Sequence, residues 1–221
     1  MIKPLIAFNQ PVTLVGGGEV EASVLSQALA LAPHLVAADG AADRLHQLGH
    51  KPDAVIGDFD SLVDPHIWQS RLGDHAIRIT DQNSSDFDKC LETVTAPLFI
   101  AVGFTGGRLD HFLYAIQAAA ISQQKIIFLD TTNCLMPLDA GEHRLSLSLE
   151  SPLSLIPLWP VMCQKCRGLY WDISGKSLSP TGLRSLSNTV SEASVELSFD
   201  QSGAILVMEN EGLRDLYKSV F

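Results

Sequence analysis

Long apolar runs are missing from this 221-residue chain: 46% of its residues are hydrophobic, yet none of its apolar stretches approaches the roughly 20 residues that cross a bilayer as a helix. Clustered Lys and Arg are missing too. Fifteen basic against 25 acidic side chains leave a formal net charge of −10, which argues against a general nucleic-acid binder, because phosphate backbones require grouped cations. No nucleic-acid partner and no membrane partner is therefore expected. Cysteine is scarce: of Cys90, Cys134, Cys163 and Cys166 only the last two form a CxxC pair, with no second pair or His at zinc spacing. Free thiols in a reducing compartment are the expectation for Cys163 and Cys166 as for the others. The first eleven residues are interrupted by Pro4, Pro11 and amides and offer no small-residue cleavage site, so no signal peptide is read there and a cytoplasmic location is expected.

What the chain does have is a series of short apolar runs that stop at Gly or Asp. Val12-Thr13-Leu14-Val15 runs into Gly16-Gly17-Gly18, Leu35-Val36-Ala37-Ala38 into Asp39-Gly40, and Ala54-Val55-Ile56 into Gly57-Asp58-Phe59-Asp60-Ser61. Residues 76–80 end at Asp81, 98–102 at Gly103 and the Thr105-Gly106-Gly107 turn, and 126–129 at Asp130. Nearly continuous apolar runs are the mark of strands buried on both faces of a parallel sheet. Helical spacing lies between them, at Val20, Val24, Ala28 and Leu31 and again at Leu45 and Leu48. The expectation is an α/β fold with a doubly wound, mainly parallel sheet, whose ligands sit beyond the carboxyl ends of the strands. Asp58 and Asp60, spaced i,i+2 at such an end, stabilise little by packing and suit a hard cation; ordinary turn formation, common for Asp at strand ends, is the structural alternative for this motif alone.

From about residue 140 the pattern changes to period two, in Leu145-Ser146-Leu147-Ser148-Leu149, in 195–199 and, beyond the turn at 200–203, a further strand at 204–208. Two units are expected: residues 1–140 as the α/β domain and 141–221 as a small antiparallel β-sandwich. Two glycine motifs are set aside. A dinucleotide fingerprint counted from Gly16 needs glycine where Glu21 stands, and Gly175-Lys176-Ser177 completes a Walker motif only with glycine at Tyr170.

Ser85 and Asp88 have capping-box spacing, so a helix starts there with Asp86 in its first turn and Lys89 on the same face. Two readings are open: a well-capped helix with a surface ion pair, or a group of carboxylates on the sheet edge of Asp58, Asp60 and Asp81. In Gly103-Phe104-Thr105-Gly106-Gly107-Arg108-Leu109-Asp110-His111, exposed amides and a guanidinium make a cradle for phosphate oxygens, with Asp110 in reach of a metal. An Arg108–Asp110 ion pair is the structural alternative.

Taken together these segments resemble the thiamine pyrophosphokinase (thiamine diphosphokinase) family. The stretches that carry the resemblance are Ala38-Asp39-Gly40-Ala41-Ala42, residues 52–61, Asp81-Gln82 with Ser85-Asp86-Phe87-Asp88-Lys89, and Gly106-Gly107-Arg108-Leu109-Asp110-His111. Ser154-Leu155-Ile156-Pro157-Leu158, Gly168-Leu169-Tyr170-Trp171 and Ser187-Asn188 resemble the family's thiamine-binding part. The resemblance implies an enzyme that moves the terminal diphosphate of ATP to the thiamine hydroxyl with Mg²⁺, working as a homodimer with sites at the subunit interface. It implies Mg²⁺ ligands among Asp58, Asp60, Asp81 and Asp110, and nucleotide contacts at Gly17, Asp39, Gly40, Gly106, Gly107, Arg108 and His111. Catalysis is expected of Asp86, Asp58, Asp60, Arg108 and Lys89, with Asp86 orienting the hydroxyl and Lys89 contacting phosphates.

For the acceptor it implies Gln82, Asp86, Trp171, Ser187 and Asn188. Read alone, Trp171 is equally a core residue, and Ser187-Asn188 a turn. Asn83-Ser84-Ser85 and the lead at 161–166 depart from the family's usual pattern. A metal-dependent hydrolase of nucleotides or phosphate esters, or a non-catalytic binder of thiamine or nucleotide, are the alternatives.

Overall fold

The computed structural model describes residues 5–221, so Met1 to Pro4 of the segment read for a signal peptide lie outside the described residues. Two compact units, Met1–Ala115 and Ile116–Phe221, divide the chain.

In the first unit the elements run β1 (Ile6–Ala7), β2 (Val12–Val15), α1 (Ala22–Leu31), β3 (His34–Ala38), α2 (Ala41–Gln47), β4 (Ala54–Gly57), α3 (Pro65–Leu72), β5 (Ala76–Arg78), α4 (Asp86–Thr93), β6 (Val94–Thr95), β7 (Phe99–Val102) and α5 (Leu109–Ile121), which carries the division at 115/116. Five strands pair in parallel in the order β7-β2-β3-β4-β5. β2, β4 and β7 are buried at every position, as their unbroken apolar letters require. β5 differs from its expectation. As the last of the five it is half-buried to exposed, and it stops at Arg78, with only the Ile79 N–H continuing to the Gly57 carbonyl at 2.7 Å.

The order reverses between β2 and β7, because the chain steps outward through β3, β4 and β5 and then returns to the other side of β2. That switch point is where doubly wound sheets open a ligand crevice. Gly16, Gly18 and Gly103 meet there backbone to backbone: the Gly18 N–H donates to the Gly103 carbonyl at 2.8 Å. A Cβ on Gly18 would stand 2.6 Å from that oxygen, so only glycine permits the approach.

Helix starts follow local chemistry. The Ser85 hydroxyl accepts from the Asp88 N–H at 3.2 Å while the Asp88 carboxylate accepts from the Ser85 N–H at 2.9 Å, the reciprocal box expected for α4. Asp64 caps α3, with Pro65 in its first turn and Gly73 (φ 56°) ending it, a helix the apolar spacing alone does not announce. α4 packs on β3 and β4, and α1 on β2 and β7.

The second unit continues with β8 (Ile126–Leu129), β9 (Asn133–Leu138), β10 (Gly141–Ser146), β11 (Pro152–Pro157), β12 (Val161–Arg167), β13 (Lys176–Leu178), β14 (Ser185–Thr189), β15 (Ser194–Phe199), β16 (Ala204–Glu209) and α6 (Leu213–Val220). Two antiparallel arrays result, β14-β11-β16-β9-β8 and β10-β15-β12-β13. Residue 140 falls in the turn between β9 and β10, and antiparallel pairing already begins with β8 and β9. β10 takes in only the first two residues of the Leu145–Leu149 alternation, because its partner β15 runs out at Ser194 opposite Ser146. Gly175 (φ 69°) forms the turn into β13, whereas Lys176 and Ser177 already belong to that strand, so a turn over all three residues, the expectation for this triplet, holds only for the glycine. Among the described residues no helix is long and apolar enough to cross a membrane.

All four cysteines are buried free thiols. A bulge in β12 between Cys163 and Lys165 turns Cys163 and Cys166, three apart, to the same inner side. Burial pushes the Cys163 thiol up to about 12, so it is protonated and unreactive at neutral pH.

Candidate functional site

The carboxyl ends of β3 and β4 are adjacent because Ala38 pairs with Ile56. That register sets Asp39, just past β3, beside the residues that follow β4. A Cβ on Gly57 would lie 2.6 Å from that of Asp39, so the glycine allows the two strand ends to close. Asp39 (φ 46°) and Phe59 (φ 69°) both adopt left-handed backbone. For Asp this is tolerated; for a buried aromatic such as Phe59 it stores roughly 1–3 kcal/mol, sustained by the surrounding packing.

The turn at Phe59 brings the Asp60 N–H back to Asp58 Oδ1 at 3.2 Å and the Ser61 N–H to Asp39 Oδ2 at 3.1 Å. Asp39, Asp58 and Asp60 each present one carboxylate oxygen, all within 4.8 Å of one another. Asp39 is buried, and its Oδ1 has no hydrogen-bond partner among the described residues. Burial pushes its carboxyl above the ordinary value, the Ser61 N–H draws it part way back, and the charges of Asp86 and Asp58 push it up again. An orphaned buried acceptor within an all-oxygen donor set fits a hard divalent cation such as Mg²⁺.

Asp58 is less exposed than a strand-end carboxylate is expected to be, at 15% of its side chain. Gln82 Nε2 donates to its Oδ2 at 3.0 Å, and Lys89 Nζ lies 3.6 Å from the same oxygen. Desolvation works against its charge, but the Asp60 N–H, Gln82 and Lys89 outweigh it and hold the carboxyl below the usual range. Arg78, absent from the sequence-based site, donates from Nε to the Asp58 carbonyl at 2.9 Å. Lys89 also donates to Asp86 Oδ1 at 3.1 Å, so the α4 lysine joins the helix start to the β4 end.

Several expected site residues stand apart from this group. Asp81 accepts from the Asn83 N–H and side chain and from the Ser84 hydroxyl at 2.8 Å, which hold its carboxyl below the ordinary range. It closes its own loop and is not among the three clustered carboxylates. Asp110 is likewise outside the cluster, because Arg108 clamps it through Nε at 3.2 Å and Nη2 at 2.5 Å. This is the structural alternative weighed for that pair; both groups are exposed, Arg108 to 71%. Gly106 (φ 78°) and Gly107 (φ 63°) meet nothing where a Cβ would project, nor does Gly17. Gly40 abuts Ser61, and His111 closes the first turn of α5 through its N–H to the Arg108 carbonyl at 3.1 Å.

In the second unit Trp171 is 55% exposed and meets Tyr170 edge to face, with ring centroids 4.8 Å apart. It is therefore a surface aromatic and not core. Asn188, only 1% exposed, spends its whole amide inside the chain: Oδ1 accepts from the Trp171 and Thr189 N–H groups, and Nδ2 donates to the Trp171 carbonyl and Ser185 Oγ. Ser187 (φ 53°) is exposed, its N–H donating to Ser154 Oγ at 2.9 Å.

Comparison with known proteins adds an independent finding. Two family models match, the thiamin pyrophosphokinase catalytic domain over residues 25–129 and the thiamin pyrophosphokinase vitamin B1 binding domain over 142–202. Thiamine pyrophosphokinase 1 of Oryza sativa subsp. japonica is 32% identical over 172 residues, covering 70% of this chain and 65% of the rice protein. Thiamine pyrophosphokinase 1 of Arabidopsis thaliana is 30% identical over 168 residues, 68% of this chain and 63% of the relative. The chain thus spans just under two thirds of the length of these plant relatives. In fold it is similar to the yeast thiamin pyrophosphokinase crystal structure, with TM-score 0.76 at 17% identity over 99% of this chain and 95% of the other. The Geobacillus thermodenitrificans thiamin pyrophosphokinase structure gives TM-score 0.71 at 22% identity, over 90% and 97%.

Proposed function

Because the chain belongs to the thiamine pyrophosphokinase family, we propose that it transfers the diphosphate of ATP to the hydroxyl of thiamine, releasing AMP. The observation that carries this reading is the convergence of Asp39, Asp58 and Asp60 around a buried, unpartnered carboxylate oxygen. These three would hold Mg²⁺, which when bound neutralises charge along the triphosphate.

The chain's own residues do the positioning. Asp86, beside the cluster, accepts the hydroxyl proton as the thiamine oxygen attacks the β-phosphorus; the bond from that phosphorus to the α–β bridging oxygen breaks, and the electron pair leaves with AMP. Arg108 and the amides of Gly106 and Gly107 bind phosphate oxygens, which requires Arg108 to exchange Asp110 for the nucleotide. Gly17, Gly40 and His111 complete the nucleotide contacts, and Gln82 orients Asp58 while bordering the acceptor. Asp81 shapes the loop that carries Gln82. Trp171 offers its face to the cationic thiazolium, Ser187 its hydroxyl, and Asn188 acts by fixing the Trp171 backbone. The active species is a homodimer, for which the exposed Tyr170, Leu183 and Leu186 supply apolar surface.

Incubation with ATP, Mg²⁺ and thiamine tests the reading: AMP and thiamine diphosphate should appear in equal amounts. ADP or free phosphate in their place points to a hydrolase or another transfer and rejects it, and binding without turnover leaves only a carrier. Trp171→Ala should raise the thiamine KM on the order of tenfold with kcat little changed, the loss of one cation–π contact. An unaltered thiamine KM removes Trp171 from the acceptor site.

A further inference from the structure

Among the described residues Lys89 is the least exposed cation near the cluster. Its side chain is 4% exposed, whereas Arg108, a phosphate ligand in the proposed reaction, is 71% exposed. It projects from the buried face of α4 together with Phe87, Cys90 and Thr93, and α4 packs on β3 and β4, the strands that end in the clustered carboxylates. A cation this near a helix N-terminus opposes the helix dipole, so local helix chemistry does not account for it. Two carboxylates do: Asp86 Oδ1 at 3.1 Å and Asp58 Oδ2 at 3.6 Å, one at the start of α4 and one beyond β4.

We infer that Lys89 is a positioning residue: an internal counter-ion that holds Asp58, one of the clustered carboxylates, in register with Asp86, and does not itself touch a phosphate. Three or more like charges within a few ångströms repel one another, and a buried ammonium is the only cation the described residues place within ion-pair distance of Asp58. The inference rests on the proposed reaction only for the roles of Asp58 and Asp86; the counter-ion arrangement itself does not need turnover.

The test is Mn²⁺ binding to the nucleotide-free protein, followed by electron paramagnetic resonance, for wild type and Lys89→Met. Removing the competing positive charge should tighten Mn²⁺ on the order of tenfold, while kcat falls at least as much and the ATP KM stays within about twofold. Should Lys89→Met be unfolded without metal, millimolar Mg²⁺ should restore its native circular dichroism, the divalent ion replacing the missing ammonium. Unchanged or weaker Mn²⁺ binding, an unfolded variant that Mg²⁺ does not rescue, or a raised ATP KM with wild-type Mn²⁺ affinity overturns the inference. Because the Mn²⁺ signal needs no catalysis, a protein that makes no AMP yet shows the tightened binding refutes the reaction and keeps the counter-ion.

Discussion

Asp58→Asn should lower AMP formation on the order of 10³-fold while leaving the circular dichroism spectrum unchanged and Tm nearly so. The substitution preserves volume, and its side-chain oxygen can still accept the Asp60 N–H that Asp58 Oδ1 accepts at 3.2 Å. What is lost is one negative charge of the three clustered carboxylates, the 3.6 Å ion pair to Lys89, which keeps Asp86, and the Gln82 Nε2 donation to Oδ2, which the exposed Gln82 amide replaces by turning its oxygen to the new NH2. Lys89 retains Asp86 and the cluster loses one of its mutually repelling charges, so the loss of rate and the retention of fold separate cleanly. Turnover within tenfold of wild type would remove Asp58 from the metal site and with it the main support for the proposed reaction.

Much of the first unit was legible because its strands are short apolar runs stopped by Gly or Asp, and burial on both faces leaves such runs no alternative. Edges were less legible. β5 carries Arg78 and half-exposed positions, so its letters predict a longer buried strand than the edge of the parallel array supports. In the second unit β15 and β16 were read from their apolar letters, but β11 begins and ends with proline and β12 contains a bulge that breaks the alternation at Gln164-Lys165. Period two fails as a signal wherever a bulge or a proline changes which face a residue meets.

The site divides the same way. Asp58 and Asp60 announce themselves, since both follow one strand within two residues of each other. Asp39 was read as a nucleotide contact because its membership in the cluster depends on the pairing of Ala38 with Ile56 and on a left-handed turn, neither of which is local in sequence. Asp81 and Asp110 match the same chemical type, but their carboxylates are engaged by Ser84 and Arg108 and lie outside the group formed by Asp39, Asp58 and Asp60. Composition identifies donors; only tertiary register says which of them converge.

Asp39→Asn carries the second large effect, and it splits stability from activity. Burial and the neighbouring carboxylates raise the Asp39 carboxyl in the folded state above its unfolded value of 3.8, so the folded protein binds the proton more tightly. Stability from this group is therefore greatest at acid pH, declines as pH rises through the unfolded value and then the raised folded one, and stands at its full deficit at neutral pH. Removing the charge should raise Tm of the metal-free protein at pH 7 by about 2–4 °C, a gain that shrinks as pH is lowered toward 4. The neutral amide still accepts the Ser61 N–H that Asp39 Oδ2 accepts at 3.1 Å, so the turn after Phe59 survives. With Mg²⁺ present the order should reverse, because the cation stabilises the wild-type carboxylate and has one ligand fewer in the variant, whose AMP formation falls at least 10²-fold. Differential scanning calorimetry at pH 4 and 7, with and without Mg²⁺, reads all four conditions. A variant less stable than wild type without metal at pH 7, or one that Mg²⁺ stabilises equally, would show that Asp39 serves the fold and not the ion.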